Sequence, residues 1–83
     1  MTAARLFLLG ALQRVADGGD IIEDELAAAI PDPYALDKIE RKAWEELSHW
    51  ADDADIRARD GNYAAFKRGR MRDHIAALQA IGS

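Results

Sequence analysis

The stretch PDPYALDKIERKAWEELSHWA, residues 31–51, decides the fold. Pro31 stops any helix before it, because proline donates no N–H and its ring crowds the preceding turn. Asp32 is a good N-cap, and Pro33 suits the first helical position, where a missing N–H costs nothing. Beyond that start, Leu36, Ile39, Ala43, Leu47 and Trp50 recur at three- and four-residue steps. That spacing lays them along one face of a helix. Glu40, Arg41, Glu45 and Glu46 fall mostly off the stripe. The pattern predicts a helix from near Pro33 to at least Ala51, with Leu47 and Trp50 in the core. Trp44 is six positions from Trp50, so it points about 120° away. Core burial is expected for it as well, with a partner-binding anchor as the alternative.

Working back towards the N-terminus, Asp20 with Glu23 three residues on resembles a capping box. It predicts a second helix over Ile21 to Ile30 that buries Ile22, Leu26, Ala29 and Ile30. Asp17-Gly18-Gly19 supplies the glycine a helix exit favours and closes a first helix over Ala3 to Ala16. Leu8, Leu12 and Val15 form its stripe, widened by Phe7 and Ala11. The run LFLLGAL, Leu6 to Leu12, is like the apolar part of a leader peptide. Seven residues are too few to span a bilayer, and Gln13 and Arg14 follow at once, so a buried helix is expected.

Towards the C-terminus, residues 52–62 allow either a continued helix or a loop with a short helix around Ile56. Three acids in Asp52–Asp55 oppose the dipole at a helix C-terminus and favour a break there. A last helix then runs from Asn62 or Tyr63 to Gly82. Its apolar arc holds Tyr63, Met71, Ile75, Leu78 and Ile81, with His74 inside the arc. The expectation is an all-α chain, a compact single-domain bundle of about four helices over residues 1–83.

The 83 residues include no cysteine, so neither disulfides nor thiolate metal sites are available, which suits a reducing cytoplasm. There is no glycine-rich phosphate loop after a strand and no Gly-x-Ser-x-Gly. Carboxylates abound, but acid–base catalysis needs a pocket and a perturbed environment. The chain reads as a non-enzyme without a cofactor. His49 stands at helical spacing from Glu45, Asp52 and Asp53, as metal ligands would. A solvated helix face explains that spacing better. Asp17-Gly-Gly-Asp20 and Asp53-Ala-Asp55 lack the ligand order of a calcium loop and read as turn and cap chemistry.

Charge is strongly segregated. Asp17 to Asp55 contains 13 acidic residues and three basic ones, Lys38, Arg41 and Lys42, a net −10 within a chain of net −4. Such polarity usually meets a partner electrostatically. Off the stripes, Asp24, Asp37, Glu40, Glu45, Glu46, Asp52 and Asp53, with Trp44, are the candidate contacts for a protein with a basic surface. Arg57, Arg59, Lys67, Arg68, Arg70 and Arg72, interleaved with Tyr63 and Phe66, are the candidate contacts for nucleic acid. The default for these cations is internal: the last helix lies beside the acidic segment and neutralises it.

Glu25-Leu-Ala-Ala-Ala-Ile30, the proline turn and Leu36…Ile39-Glu-Arg41 resemble the helix-turn-helix of phage-type repressors. Pro31 replaces the usual turn glycine, the spacing is about one residue short, and Asp37, Glu40, Glu45 and Glu46 would repel phosphate. Nucleic acid is therefore the less favoured partner, and no membrane is expected. As a type, a small, acidic, cysteine-free helical chain without chemistry resembles phage-encoded inhibitors, anti-CRISPR proteins among them. That resemblance implies occupation of a nucleic-acid-binding surface on a target protein.

Overall fold

Thr2 opens the first helix by accepting the N–H of Arg5 on its hydroxyl at 3.1 Å, which satisfies one orphan donor of the first turn. The computed structural model describes residues 2–82, and side chains for residues 2–80. Helix α1 covers Ala3–Ala16 and buries Leu8, Leu12 and Val15 completely, as the stripe predicts. It ends where Gly18 takes the left-handed conformation, φ 104°, which only glycine adopts freely. The apolar run of α1 is not buried throughout, since Leu6 faces outward.

The second helix departs from expectation at its start. Helix α2 is Glu23–Ala29, its N-cap is Ile22, and no side chain caps it. Asp20 serves another end: its Oδ1 accepts the indole N–H of Trp50 at 2.6 Å and the N–H of Ile21 at 3.0 Å. A buried indole N–H needs an acceptor, whereas a helix start on the surface can turn to water. The register shifts accordingly. Ile21 is buried and Ile22 is 63% exposed; Leu26 and Ile30 are buried, but Ala29 is not.

The third helix also begins later than the proline signal suggests. Asp32 does cap, accepting the N–H of Tyr34 at 3.1 Å, but only a 3-10 turn over Pro33–Ala35 follows. Leu36 is extended, and α3 runs Lys38–Asp52 from a capping box built by Asp37 and Glu40. Asp37 Oδ1 accepts the N–H of Glu40 at 2.8 Å, and Glu40 Oε1 accepts the N–H of Asp37 at 3.3 Å. Residues 30–37 thus separate α2 from α3, about twice the three or four residues of a helix-turn-helix turn. The resemblance to that motif fails at this connection. The stripe itself holds: Ala43, Leu47 and Trp50 are buried, with Leu36 and Ile39 packed against them.

The break among the acids falls at Asp53, followed by the short helix α4, Ala54–Arg59. Asp60 then accepts the N–H groups of Asn62 and Tyr63 at 3.0 and 3.1 Å and starts α5, Gly61–Gly82. Met71 and Leu78 are buried on its inner face, with Ile75 partly so; the side chain of Ile81 lies outside the described residues. The chain is all-α, with five α-helices and no strand among the described residues. Helix α1 packs against both α5 and α3, α2 lies on α3, and α4 lies against α5. No described helix is long and apolar enough to cross a membrane.

Candidate functional site

Besides the exposed pair of Arg14 and Glu25 at 2.8 Å, the charges of the described residues meet at four places, and most cations are engaged internally. At the first, Arg5 of α1 is buried and reaches the start of α3. Its Nε donates to Glu40 Oε2 at 2.8 Å and its Nη2 to Asp37 Oδ2 at 2.9 Å. Two of the candidate partner contacts are therefore structural. Glu40 is buried, and Asp37 is both helix cap and ion-pair partner. The signal for Glu40 is its place in Asp37-Lys-Ile-Glu40, a capping-box pattern.

The second place is the C-terminal end of α1. Arg68 donates to the carbonyls of Val15 and Gly19, and Arg72 donates to that of Ala16 at 3.0 Å. The last carbonyls of a helix lack partners and carry its negative dipole end, so cations fit there. These two arginines join α5 to α1 and neutralise backbone, not the acidic segment.

The third surrounds Trp50. The guanidinium carbons of Arg57 and Arg68 lie 3.9 and 4.7 Å from the indole centroid, a cation–π arrangement. Arg57 also donates to the Trp50 carbonyl and reaches Asp20 at 3.5 Å. Arg59 donates to the carbonyl of Asp55 at 3.3 Å. Nearby, Asp53 accepts the hydroxyl proton of Tyr63. That bond, with some loss of solvent, raises the Tyr63 pKa.

The fourth is Glu46, which is only 7% exposed. Its Oε2 accepts from Lys67 Nζ at 2.9 Å, its Oε1 accepts from Arg70 Nε at 2.7 Å, and His74 Nε2 lies 3.2 Å from Oε1. Burial opposes ionisation, but the hydrogen bonds from Arg70, Lys67 and His74 prevail and hold the carboxyl at about 2. The same contact raises the pKa of Arg70. This is the expected neutralisation between α5 and the acidic segment, concentrated on one carboxylate. It withdraws Glu46 from the surface to which its sequence position assigned it.

Glu46 forms the floor of a groove of about 510 Å³ between α3 and α5, lined also by Lys42, Glu45, His49, Phe66, Lys67, Arg70 and His74. Among the described residues, no three His, Asp or Glu side chains converge as a metal site requires. His49, Glu45 and Asp52 share the outer face of α3 without meeting Asp53, which is bound to Tyr63. Trp44 is partly buried against the core, and its Nε1 has no partner among the described residues.

Of the acids proposed as contacts, Asp24, Glu45 and Asp52 are exposed and make no side-chain hydrogen bond or ion pair among the described residues. Glu23 and Asp55, not singled out by sequence, share that state. No family model, curated protein or solved structure matches this chain.

Proposed function

We propose that the chain is a non-enzymatic protein-binding module that acts in the cytoplasm, in the manner of small phage-encoded inhibitors such as anti-CRISPR proteins. Its exposed acids engage the basic, nucleic-acid-binding surface of a protein partner. One observation carries this reading: each of the six cations of residues 57–72 makes at least one hydrogen bond within the molecule. Arg57, Arg59, Arg68 and Arg72 donate to backbone carbonyls, and Lys67 and Arg70 share Glu46. The carboxylates of Glu23, Asp24, Glu45, Asp52 and Asp55 are left facing solvent without partners among the described residues. Exposed Ile22 and Ile56 stand beside these acids in sequence, and apolar contacts among charges suit an interface centre with a charged rim.

The test is affinity capture from a bacterial lysate treated with nuclease, followed by the triple reversal Asp24→Lys, Glu45→Lys, Asp52→Lys. A specific partner that survives nuclease, weakens as salt rises and is lost on reversal supports the reading. A gel shift of duplex DNA by micromolar wild-type protein at low salt, abolished by Arg68→Glu and Arg72→Glu in a chain that still folds, overturns it.

A further inference from the structure

The six cations of residues 57–72 do not form one patch. Arg57, Arg59, Arg68 and Arg72 donate to carbonyls, whereas Lys67 and Arg70 open onto the groove between α3 and α5. There one carboxylate, Glu46, accepts from both of them, and the charge of Asp73 also acts on Arg70. Arg70 engages it through Nε, its two Nη amino groups make no hydrogen bond among the described residues, and its side chain is 48% exposed. Lys67 commits one of its three ammonium protons. Lys42, across the groove on α3, is exposed and has no hydrogen-bond or ion-pair partner among the described residues. Glu45 is the one unpaired acid on the lining.

Phe66 stands among these charges 62% exposed, with the Arg70 guanidinium 6.0 Å from its ring centroid. A bare phenyl face beside donors that lack acceptors is a combination packing does not explain. An aromatic face stacks a flat ring, and cations hold an anion. The groove's volume of about 510 Å³ falls within the usual range for small-molecule sites.

We propose that this groove binds a nucleoside monophosphate, with the nucleobase stacked on Phe66 and the phosphate held by Lys67, Arg70 and Lys42. A nucleobase supplies the flat ring, and a phosphate supplies acceptors for the spare N–H groups. The Glu46 carboxylate fixes Lys67 and Arg70 in place before the ligand arrives. Glu45 works against the phosphate and limits affinity. This site does not rest on the acidic-surface reading, and Glu45 separates the two. Glu45→Gln strengthens nucleotide binding while weakening a basic partner.

The experiment is titration of the wild-type chain with adenosine 5′-monophosphate, adenosine and inorganic phosphate, followed by amide chemical shifts of α3 and α5. The monophosphate is expected to bind about ten-fold or more tighter than either fragment, because stacking and charge act together. Phe66→Ala lowers its affinity about ten-fold and leaves phosphate binding unchanged. Lys42→Met, at an exposed position that makes no hydrogen bond or ion pair among the described residues, lowers both. Phe66 and Lys42 are exposed, so both variants fold, and unchanged circular dichroism verifies this. No shift changes at about 10 mM monophosphate, affinity equal to that of phosphate alone, or indifference to Phe66→Ala overturns the proposal.

Discussion

The two faces of α3 both carry glutamates, and those glutamates have opposite fates. The inner face carries Glu40, Ala43, Glu46, Leu47 and Trp50, all buried. The outer face carries Lys38, Lys42, Glu45, His49 and Asp52, all exposed. Glu45 and Glu46 are neighbours in sequence, yet among the described residues one makes no side-chain hydrogen bond or ion pair and the other holds three groups of α5. A carboxylate can sit inside a helical bundle only where its charge is matched and its oxygens are hydrogen-bonded. Here α5 brings the matching donors. Charge counted along a sequence therefore overstates the charge available at a surface, and only the outer face remains for a partner.

The inner face should break first at its apolar residues. Leu47→Ala is expected to cost about 2–5 kcal/mol, the lost burial plus the cavity left behind. For a chain with a core this small, the upper end of that range abolishes folding. Urea unfolding monitored by helical circular dichroism checks it. Surface-like tolerance at Leu47 would mean that α3 packs through another face.

Glu46→Gln comes next, at about 2–3 kcal/mol, because Lys67 and His74 then face a neutral amide in place of a carboxylate in a part-buried setting. The half-exposed Arg70 can turn to solvent and spares the remainder. Glu45→Gln should change stability by less than about 0.5 kcal/mol, so the pair of substitutions measures the difference between the faces directly. Acid titration gives a second measure. The folded-state carboxyl of Glu46 is lowered to about 2 from an ordinary 4.5. Its contribution is thus fully present above about 4.5 and disappears as pH falls from there through about 2. Glu46→Gln should flatten the stability curve across that window. An unchanged acid limb would show that the Lys67 and Arg70 contacts are not formed in solution.

The start of α3 gives a smaller effect. Asp37→Ala removes the cap and one contact of Arg5, at about 0.5–2 kcal/mol. Asp32→Ala removes only the anchor of a short exposed turn and should cost a few tenths of that. Equal losses at the two positions would place the helix start back at Pro33.

Much of this architecture is legible in the sequence where it depends on neighbours along the chain. The limits of α1, the stripe of α3 and the break among Asp52–Asp55 all follow from periodicity, glycine and dipole arguments. The start of α3 is also written locally, in Asp37-Lys-Ile-Glu40, but Pro31-Asp32-Pro33 is the louder signal and draws the boundary too early. Glu40 and Glu46 stand at three-residue steps to Ala43, so their inward position is consistent with the stripe, although their charge argues against it. What no local pattern reveals is the use of Asp20 by Trp50, 30 residues away, or of the α1 carbonyls by Arg68 and Arg72, some 50 residues away. Both bonds answer needs created by tertiary packing: a buried indole N–H and an unfinished helix end.

The outer face should yield the smallest change in stability and the clearest change in binding. Glu45 and Asp52 lie seven residues apart, two turns along one side of α3, with no partner to lose. Glu45→Lys places a cation three residues after Lys42, a like-charge pair that costs a few tenths of a kcal/mol on an exposed helix. Asp52→Lys acts in the opposite direction, because it replaces an acid at the last residue of the helix, where the dipole favours a cation. The two effects nearly cancel, so the double variant should unfold within about 0.5 kcal/mol of wild type. If the outer face binds a basic partner, the same variant loses that partner, and most steeply at low salt, where exposed charges act over the longest range. A double variant that keeps its partner at full affinity would remove α3 from the interface and leave the acids of α2 and α4 to form it.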